Sequence, residues 1–342
     1  MSSIRFALPA RQRAADSPPS RPVSMDRRQL LKAAGLTLVG AATSSLGLAG
    51  AIPASAATAQ FPGHKPGKIY LGLSNGGQSL STTLERTGPV GLRRTYYDWS
   101  GLSGELRNIR SDHAANRMPW VSFKPASTRS GGWAALASGQ HDGALRERAR
   151  AYAGLSRPVM VTFNHEPHND STGSPADFAR AWCRVHDVMK NETGLKNIVS
   201  TPIIGDWVFN PVNKEQGPED FLTGAVLDRC HMLGVDLYQN PSGQGCAERL
   251  GRVLDWLDAR GHSTMPVGLG ETGCSMGFKN PDGVEWWNSS WKWSVNSERV
   301  AAISYFNSAR NNNSGRTWLL WESSAKLQAF KASLSSAAAT RL

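Results

Sequence analysis

Two stretches decide the fold: Pro158-Val159-Met160-Val161-Thr162-Phe163-Asn164-His165-Glu166 and Pro266-Val267-Gly268-Leu269-Gly270-Glu271. Each is a short, apolar, β-rich run that ends in a glutamate where the strand gives way to a turn. Runs of the same kind recur before, between and after them: Lys68–Ser74, Leu92–Trp99, Pro119–Lys124, Asn197–Ile204, Met232–Gln239 and Val300–Phe306. With Pro158–Asn164 and Pro266–Glu271 that makes eight predicted strands. Helical patterns lie between them, clearest over Ala144–Ala153, Pro175–Lys190 and Arg249–Ala259. Ser174 followed by Pro175 is a good N-cap with proline in the first turn, and Phe178, Ala181, Trp182, Val185, Val188 and Met189 form one apolar stripe.

Strands alternating with helices imply parallel βα units, and eight of them imply a (β/α)8 barrel in a single domain over residues 68–342. The rival is an open doubly wound sheet, which normally carries a Gly-rich phosphate turn after its first strand. Here the first strand ends Ser74-Asn75-Gly76-Gly77, which has neither that spacing nor a Gly-Lys-Ser/Thr ending.

The chain has 342 residues, 40% hydrophobic and 19% charged, which excludes wholesale disorder. Its net charge is +11, but seven basic and two acidic residues fall in residues 1–56. The remaining 31 basic and 25 acidic residues are spread without a Lys/Arg-rich block, so nucleic acid is not an expected partner. No long apolar run follows position 60, so the body is not expected to enter a membrane.

Residues 1–56 read as an export signal. Arg27-Arg28 precede Leu30-Leu31, a Gly/Ser-diluted apolar run extends from Ala33 to about Ala51, and Ala54-Ser55-Ala56 supplies a small-x-small cleavage site. This order resembles a twin-arginine signal, with Met25 a candidate true start; residues 57–67 then form a short linker. A secreted, monomeric protein is expected.

In a (β/α)8 barrel, chemistry sits at the C-terminal ends of the strands. Glu166 and Glu271 occupy matching positions at the ends of the fourth and seventh predicted strands. A carboxylate there is costly to bury without a partner or a function. Two carboxylates facing each other across a barrel mouth suit glycoside hydrolysis, in which one protonates the leaving oxygen and the other attacks the anomeric carbon or activates water. Sites for sugars combine aromatic platforms with polar hydrogen-bonders, and Asp98, Trp99, Lys124, Trp207 and Tyr238 fall at or just past predicted strand ends. His165 and His168 flank Glu166, and Trp286 and Trp287 begin a tryptophan cluster that reads as a rim of sugar platforms. The same tryptophans also suit helix-to-barrel packing.

No metal or other cofactor is expected: His165-Glu166-Pro167-His168 is not the His-Glu-x-x-His zinc motif, and Pro167 spoils the helix that motif needs. Two other classes remain: a non-catalytic carbohydrate-binding barrel, which tolerates any carboxylate separation, and a metal-dependent hydrolase, which needs at least three converging ligands.

The chain resembles the clan of retaining glycosidases built on (β/α)8 barrels. Within it, His165-Glu166, Glu271-Thr272-Gly273 and the run Gly234-Val235-Asp236-Leu237-Tyr238 are similar to glycoside hydrolase family 26, the β-mannanase family. The resemblance implies Glu166 as acid/base, Glu271 as nucleophile, Tyr238 as a hydrogen-bond partner of the nucleophile, and an endo-acting secreted enzyme on a polysaccharide or oligosaccharide. The sequence departs from that family at Pro167-His168-Asn169-Asp170, at Thr272 and at Tyr305-Phe306-Asn307.

Four cysteines allow three complete pairings. Cys246 and Cys274 follow neighbouring strands on the catalytic face, so a Cys246–Cys274 disulfide is expected, with Cys183 and Cys230 as free thiols.

Overall fold

The computed structural model describes residues 61–125, 132–170, 172–278, 282–309 and 317–342. The signal region 1–56 and the first part of the 57–67 linker lie outside the described residues. All eight predicted strands form. They are β1 (Ile69–Ser74), β2 (Leu92–Tyr97), β3 (Met118–Phe123), β4 (Val159–Phe163), a divided fifth stave, β7 (Leu233–Tyr238), β8 (Val267–Gly273) and β9 (Val300–Phe306). The fifth stave comprises β5 (Ile198–Ser200) and β6 (Ile203–Gly205). All pairings are parallel, in the order β5-β4-β3-β2-β1-β9-β8-β7-β6. One half of the fifth stave pairs with β4 and the other with β7, and this closes the barrel. Pro202, which has no N–H to give to a ladder, sits at the break.

Because helices cover the outside and side chains fill the inside, most staves are buried on both faces. The lower interior is packed by Tyr70, Leu92, Met118, Trp120, Met160 and Met232. Phe61 joins this cluster and Tyr70 donates its O–H to the Gly63 carbonyl at 2.6 Å, so the described part of the 57–67 segment is the floor of the barrel rather than a free linker. A two-residue strand β10 (Ala339–Thr340) pairs with β1 and brings Leu342 to the same floor.

The helices form largely as the sequence indicates. Helix α5 (Pro175–Thr193) starts with a capping box, in which Ser174 Oγ accepts from the Asp177 amide and the Asp177 carboxylate accepts from the Ser174 amide. Helix α8 (Cys246–Asp258) begins three residues earlier than expected. No described helix is long and apolar enough to cross a membrane.

Two expectations are corrected. The Cys246–Cys274 disulfide is absent, and all four cysteines are free thiols. Cys246 is the first residue of α8, not a loop residue, and its thiol faces Ser290. The Cys274 Sγ instead lies 3.8 Å from the Tyr305 hydroxyl. Each sulfur is thus buried against its own hydroxyl neighbour, and burial pushes the thiols up, to about 12 and about 11.

The second correction concerns the tryptophan cluster on α9 (Gly283–Asn296). Trp286 and Trp287 are 1% and 2% exposed, so they cannot form a rim. Trp287 packs on Tyr305 and Phe330 and donates to Ser333 Oγ at 3.1 Å. Trp291 and Trp293 are half-buried against the same core. A helix in the outer ring buries its flanks against neighbouring helices as well as its inner stripe, here against α8 and α10 (Ser324–Leu334). Trp287→Ala is therefore expected to lower the unfolding free energy by about 3–5 kcal/mol, measured by denaturant unfolding. A rim tryptophan would cost far less.

Candidate active site

Glu271 reaches the barrel interior by a register shift. Val235 pairs with Leu269, but the next residue, Asp236, pairs with Glu271, so Gly270 is an extra residue in β8. Leu269 faces the helices; the bulge then brings Glu271 inward beside Asp236. A Cβ on Gly270 would lie 2.6 Å from Asp236 Oδ1, so the bulge requires glycine. Once inside, the Glu271 carboxylate accepts from Tyr238 OH on Oε2 at 2.5 Å and from Tyr96 OH on Oε1 at 2.7 Å. The Arg94 guanidinium faces Oε1 at 3.7 Å and donates from Nε to Tyr96 OH at 3.1 Å. Burial and the Glu271 charge push both phenols well above their ordinary range, so both remain O–H donors.

Glu166 is presented by a different device. After β4 the chain enters the left-handed region twice, at Asn164 (φ 46°) and at Glu166 itself (φ 50°). Each such non-glycine residue costs on the order of 1–3 kcal/mol and persists only where its surroundings hold it. Here Asn164 Oδ1 accepts from Trp133 Nε1 at 3.1 Å, and Asn164 Nδ2 donates to Asp170 at 2.7 Å. The Glu166 amide donates to the Ile203 carbonyl at 3.0 Å, beside the break in the fifth stave. The Glu166 carboxylate accepts from Asn169 Nδ2 at 3.2 Å. Burial first, and the nearby Glu271 charge second, raise the Glu166 carboxyl above its ordinary value.

Both glutamates line one cavity of about 450 Å³, with Tyr96, His165, Tyr238, Phe306 and Trp318. Trp318 packs on Tyr238, ring centroids 5.2 Å apart. His165 packs on Tyr96 and is held neutral by burial and by the Arg94 and Lys124 charges. Beneath the cavity Asp236 is fully enclosed. Burial and the two glutamate charges push its carboxyl well above the usual range.

The other sequence-derived candidates lie elsewhere. His168 turns from the cavity to pack against Gly205 and Phe221, and burial lowers it to about 4. Lys124 pairs with Asp170 at 3.2 Å and bears on Glu166 only through its charge. Trp99 packs on Phe123 and His141 with Arg148 over its ring, and Asp98 is exposed. Trp207, 54% exposed, stands on the turn after β6. Beside it, Asp206 takes a two-pronged contact from Arg249 Nε and Nη2 at 2.7 and 2.6 Å. Arg249 also donates to the Tyr238 carbonyl, which fixes the strand end that carries the phenol.

Arg94, Tyr96, Phe306 and Trp318 were not among the candidates read from the sequence. Alternation along Leu92-Arg93-Arg94-Thr95-Tyr96 places Arg94 and Tyr96 on the inward face with Leu92, and that signal is present in the sequence. Trp318 arrives from a loop and carries no such signal. Among the described residues, no group of three or more His, Cys, Asp or Glu side chains is placed to hold a metal ion.

No protein-family profile matches the chain, and no curated protein matches it. Solved structures do. A modular endo-β-1,4-mannanase of glycoside hydrolase family 26 from Cellulomonas fimi superposes with a TM-score of 0.56 at 16% identity, covering 81% of this chain and 72% of that one. The catalytic domain of a family 26 endo-β-1,4-mannanase from Bacillus sp. JAMB-750 gives 0.55 at 14%, covering 80% and 88%. A glucosidase from Croceicoccus marinus gives 0.56 at 13%, covering 80% and 69%. The chain therefore has the (β/α)8 fold that these glycosidases share, and its resemblance to family 26 extends from short motifs to the architecture.

Proposed function

We propose that this protein is a retaining β-glycosidase that hydrolyses a polysaccharide by double displacement. The observation that carries the reading is the unequal treatment of two carboxyls in one cavity. Glu166 is raised toward the protonated state, as a general acid needs. Glu271 is held on both oxygens by O–H donors and faces a guanidinium, an arrangement suited to an anionic nucleophile.

Glu166 gives its proton to the glycosidic oxygen while Glu271 attacks the anomeric carbon, forming a glycosyl-enzyme. Glu166, now anionic, takes a proton from water, and that water releases the sugar from Glu271. Tyr96 and Tyr238 hold the Glu271 oxygens in line, neutral His165 hydrogen-bonds sugar hydroxyls, and Trp318 and Phe306 offer apolar faces to the ring. A β-mannan is the first polymer to assay, and endo action is expected because Tyr96 also lines a second, adjoining cavity. Export through a twin-arginine signal completes the reading: Arg27-Arg28→Lys-Lys should keep the protein inside the cell, measured by fractionation.

Glu166→Ala should lower kcat/KM on a natural glycan by roughly 10²–10⁴-fold while sparing substrates with good leaving groups. Glu271→Ala should abolish turnover, and azide should rescue it with inverted product. Either variant retaining wild-type activity on the glycan would refute the assignment.

The raised Glu166 carboxyl also gives a pH signature. A carboxyl whose folded value lies above its unfolded value stabilises the fold below the unfolded value, and that contribution is lost as pH rises through the folded value. Glu166→Gln should therefore melt higher than wild type at pH 7, with the difference vanishing near pH 4. In wild type the alkaline limb of the kcat/KM profile should report Glu166, and in Glu166→Gln that limb should disappear.

A further inference from the structure

Beside the catalytic cavity lies a second one, of about 440 Å³. Tyr96 and Phe306 line both, so the two are compartments of one cleft. The second arises from unequal strand lengths. The β1–β2 pairing ends at Leu73↔Arg93, and β1 itself ends at Ser74, but β2 runs on to Tyr97. The chain leaves β1 through Gly76 and Gly77, both left-handed (φ 52° and 90°). Gly76 is pressed against Asn307 and Ser308, while a Cβ on Gly77 would meet nothing within 4 Å. The upper half of β2 is thus left beside an open compartment.

Its lining is chemically one-sided. Asn75, Gln78, Asn108 and Tyr97 offer amide and phenol groups, and Arg93 and Arg94 offer guanidinium groups. Among the described residues that line it there is no Asp or Glu. Arg93 faces Asp112 at 3.6 Å, but Asp112 is already held by Arg117 at 2.8 Å, so one carboxylate is set against two cations. The Arg94 side chain is 0% exposed, yet its Nη1 and Nη2 have no hydrogen-bond partner. Buried donors of that kind are costly unless something accepts from them. The balance outside residues 1–56, 31 basic against 25 acidic residues, has the same sign.

We propose that this second compartment binds an anionic sugar unit, one carrying a carboxylate or a sulfate ester, next to the sugar that is cleaved. The natural substrate is then an acidic polysaccharide. Guanidinium groups match either oxyanion, and a positive cleft raises the local concentration of an acidic polymer. The inference rests on the glycosidase reading for its substrate class.

The test uses the Glu166→Gln protein and matched oligosaccharides: a uronate-containing set with its carboxyl-reduced counterpart, and a sulfated set with its desulfated counterpart. One acidic set should bind at least about tenfold tighter than its neutral counterpart at low salt, with the margin shrinking as salt rises. Preference for the uronate assigns a carboxylate and preference for the sulfated set assigns a sulfate ester. Added to this background, Arg93→Met should remove most of that preference and Arg93→Lys should keep most of it, at melting temperatures near that of the parent. Equal binding of acidic and neutral members, or a preference unchanged in the folded Arg93→Met protein, would overturn the proposal. Turnover of aryl β-glycosides by wild type tests hydrolysis separately. Turnover without acidic preference removes only the present inference, and preference without turnover removes only the hydrolytic reading.

Discussion

Keeping the Glu271 carboxylate inside the barrel wall is the constraint on which the rest of the site depends. An anion taken out of water is expensive unless donors and a counter-charge replace the water it loses. The replacements come from two staves: Tyr238 from β7, and Tyr96 and Arg94 from β2, with the bulge at Gly270 in β8 setting the direction of the carboxylate. Each replacement has its own support. Arg249 grips the Tyr238 carbonyl and Asp206, and Arg94 steadies the Tyr96 hydroxyl while lying over the Trp120 ring. The nucleophile candidate is therefore rigid because its desolvation cost has to be met at fixed positions.

Glu166 shows the opposite treatment from the same physics. It has one side-chain amide donor, from Asn169, and Lys124 and Arg94 act on it only as charges. Burial then prevails and raises its proton affinity. The left-handed turn that presents it is anchored at Asn164 and at the Ile203 carbonyl, outside the carboxyl itself. Position is thus fixed by the backbone and protonation is left responsive, which suits a group that must both give and take a proton.

How far the sequence could be read follows from which forces are local. Strand positions were legible because runs buried on both faces leave continuous apolar stretches, and Glu166 and Glu271 were legible because each ends such a run. The orientation of Glu271 was not. Strict alternation from Leu269 would set it facing the helices, and only the bulge, seen in its pairing with β7, turns it inward. Trp286 and Trp287 misled for a related reason. The spacing of Trp286, Trp287, Trp291 and Trp293 does not fit a single buried stripe, but a helix wedged between neighbours on both sides buries more than one stripe. Cys246 and Cys274 do follow neighbouring strands, β7 and β8, but Cys246 opens α8 instead of lying in a loop. The direction of each sulfur depends on Ser290 and Tyr305, which no sequence spacing reveals.

The two ends of the barrel divide the work. At the floor, Phe61, Tyr70, Met118, Trp120, Met160 and Met232 fill the interior with apolar volume, and β10 with Leu342 closes it from the C-terminal side. At the mouth, two glutamates, an arginine and an aspartic acid are set together out of bulk water, and two residues sit in the left-handed region. Each of those features is destabilising on its own. They can persist because the floor and the outer helix layer are packed independently of them. Arg94 sits at the boundary, with its guanidinium over the Trp120 ring below and its Nη2 facing Glu271 above, and it is also a lining residue of the second compartment. The apolar base thus positions the cation that both compartments of the cleft depend on, and in this way packing far from solvent reaches the chemistry at the mouth.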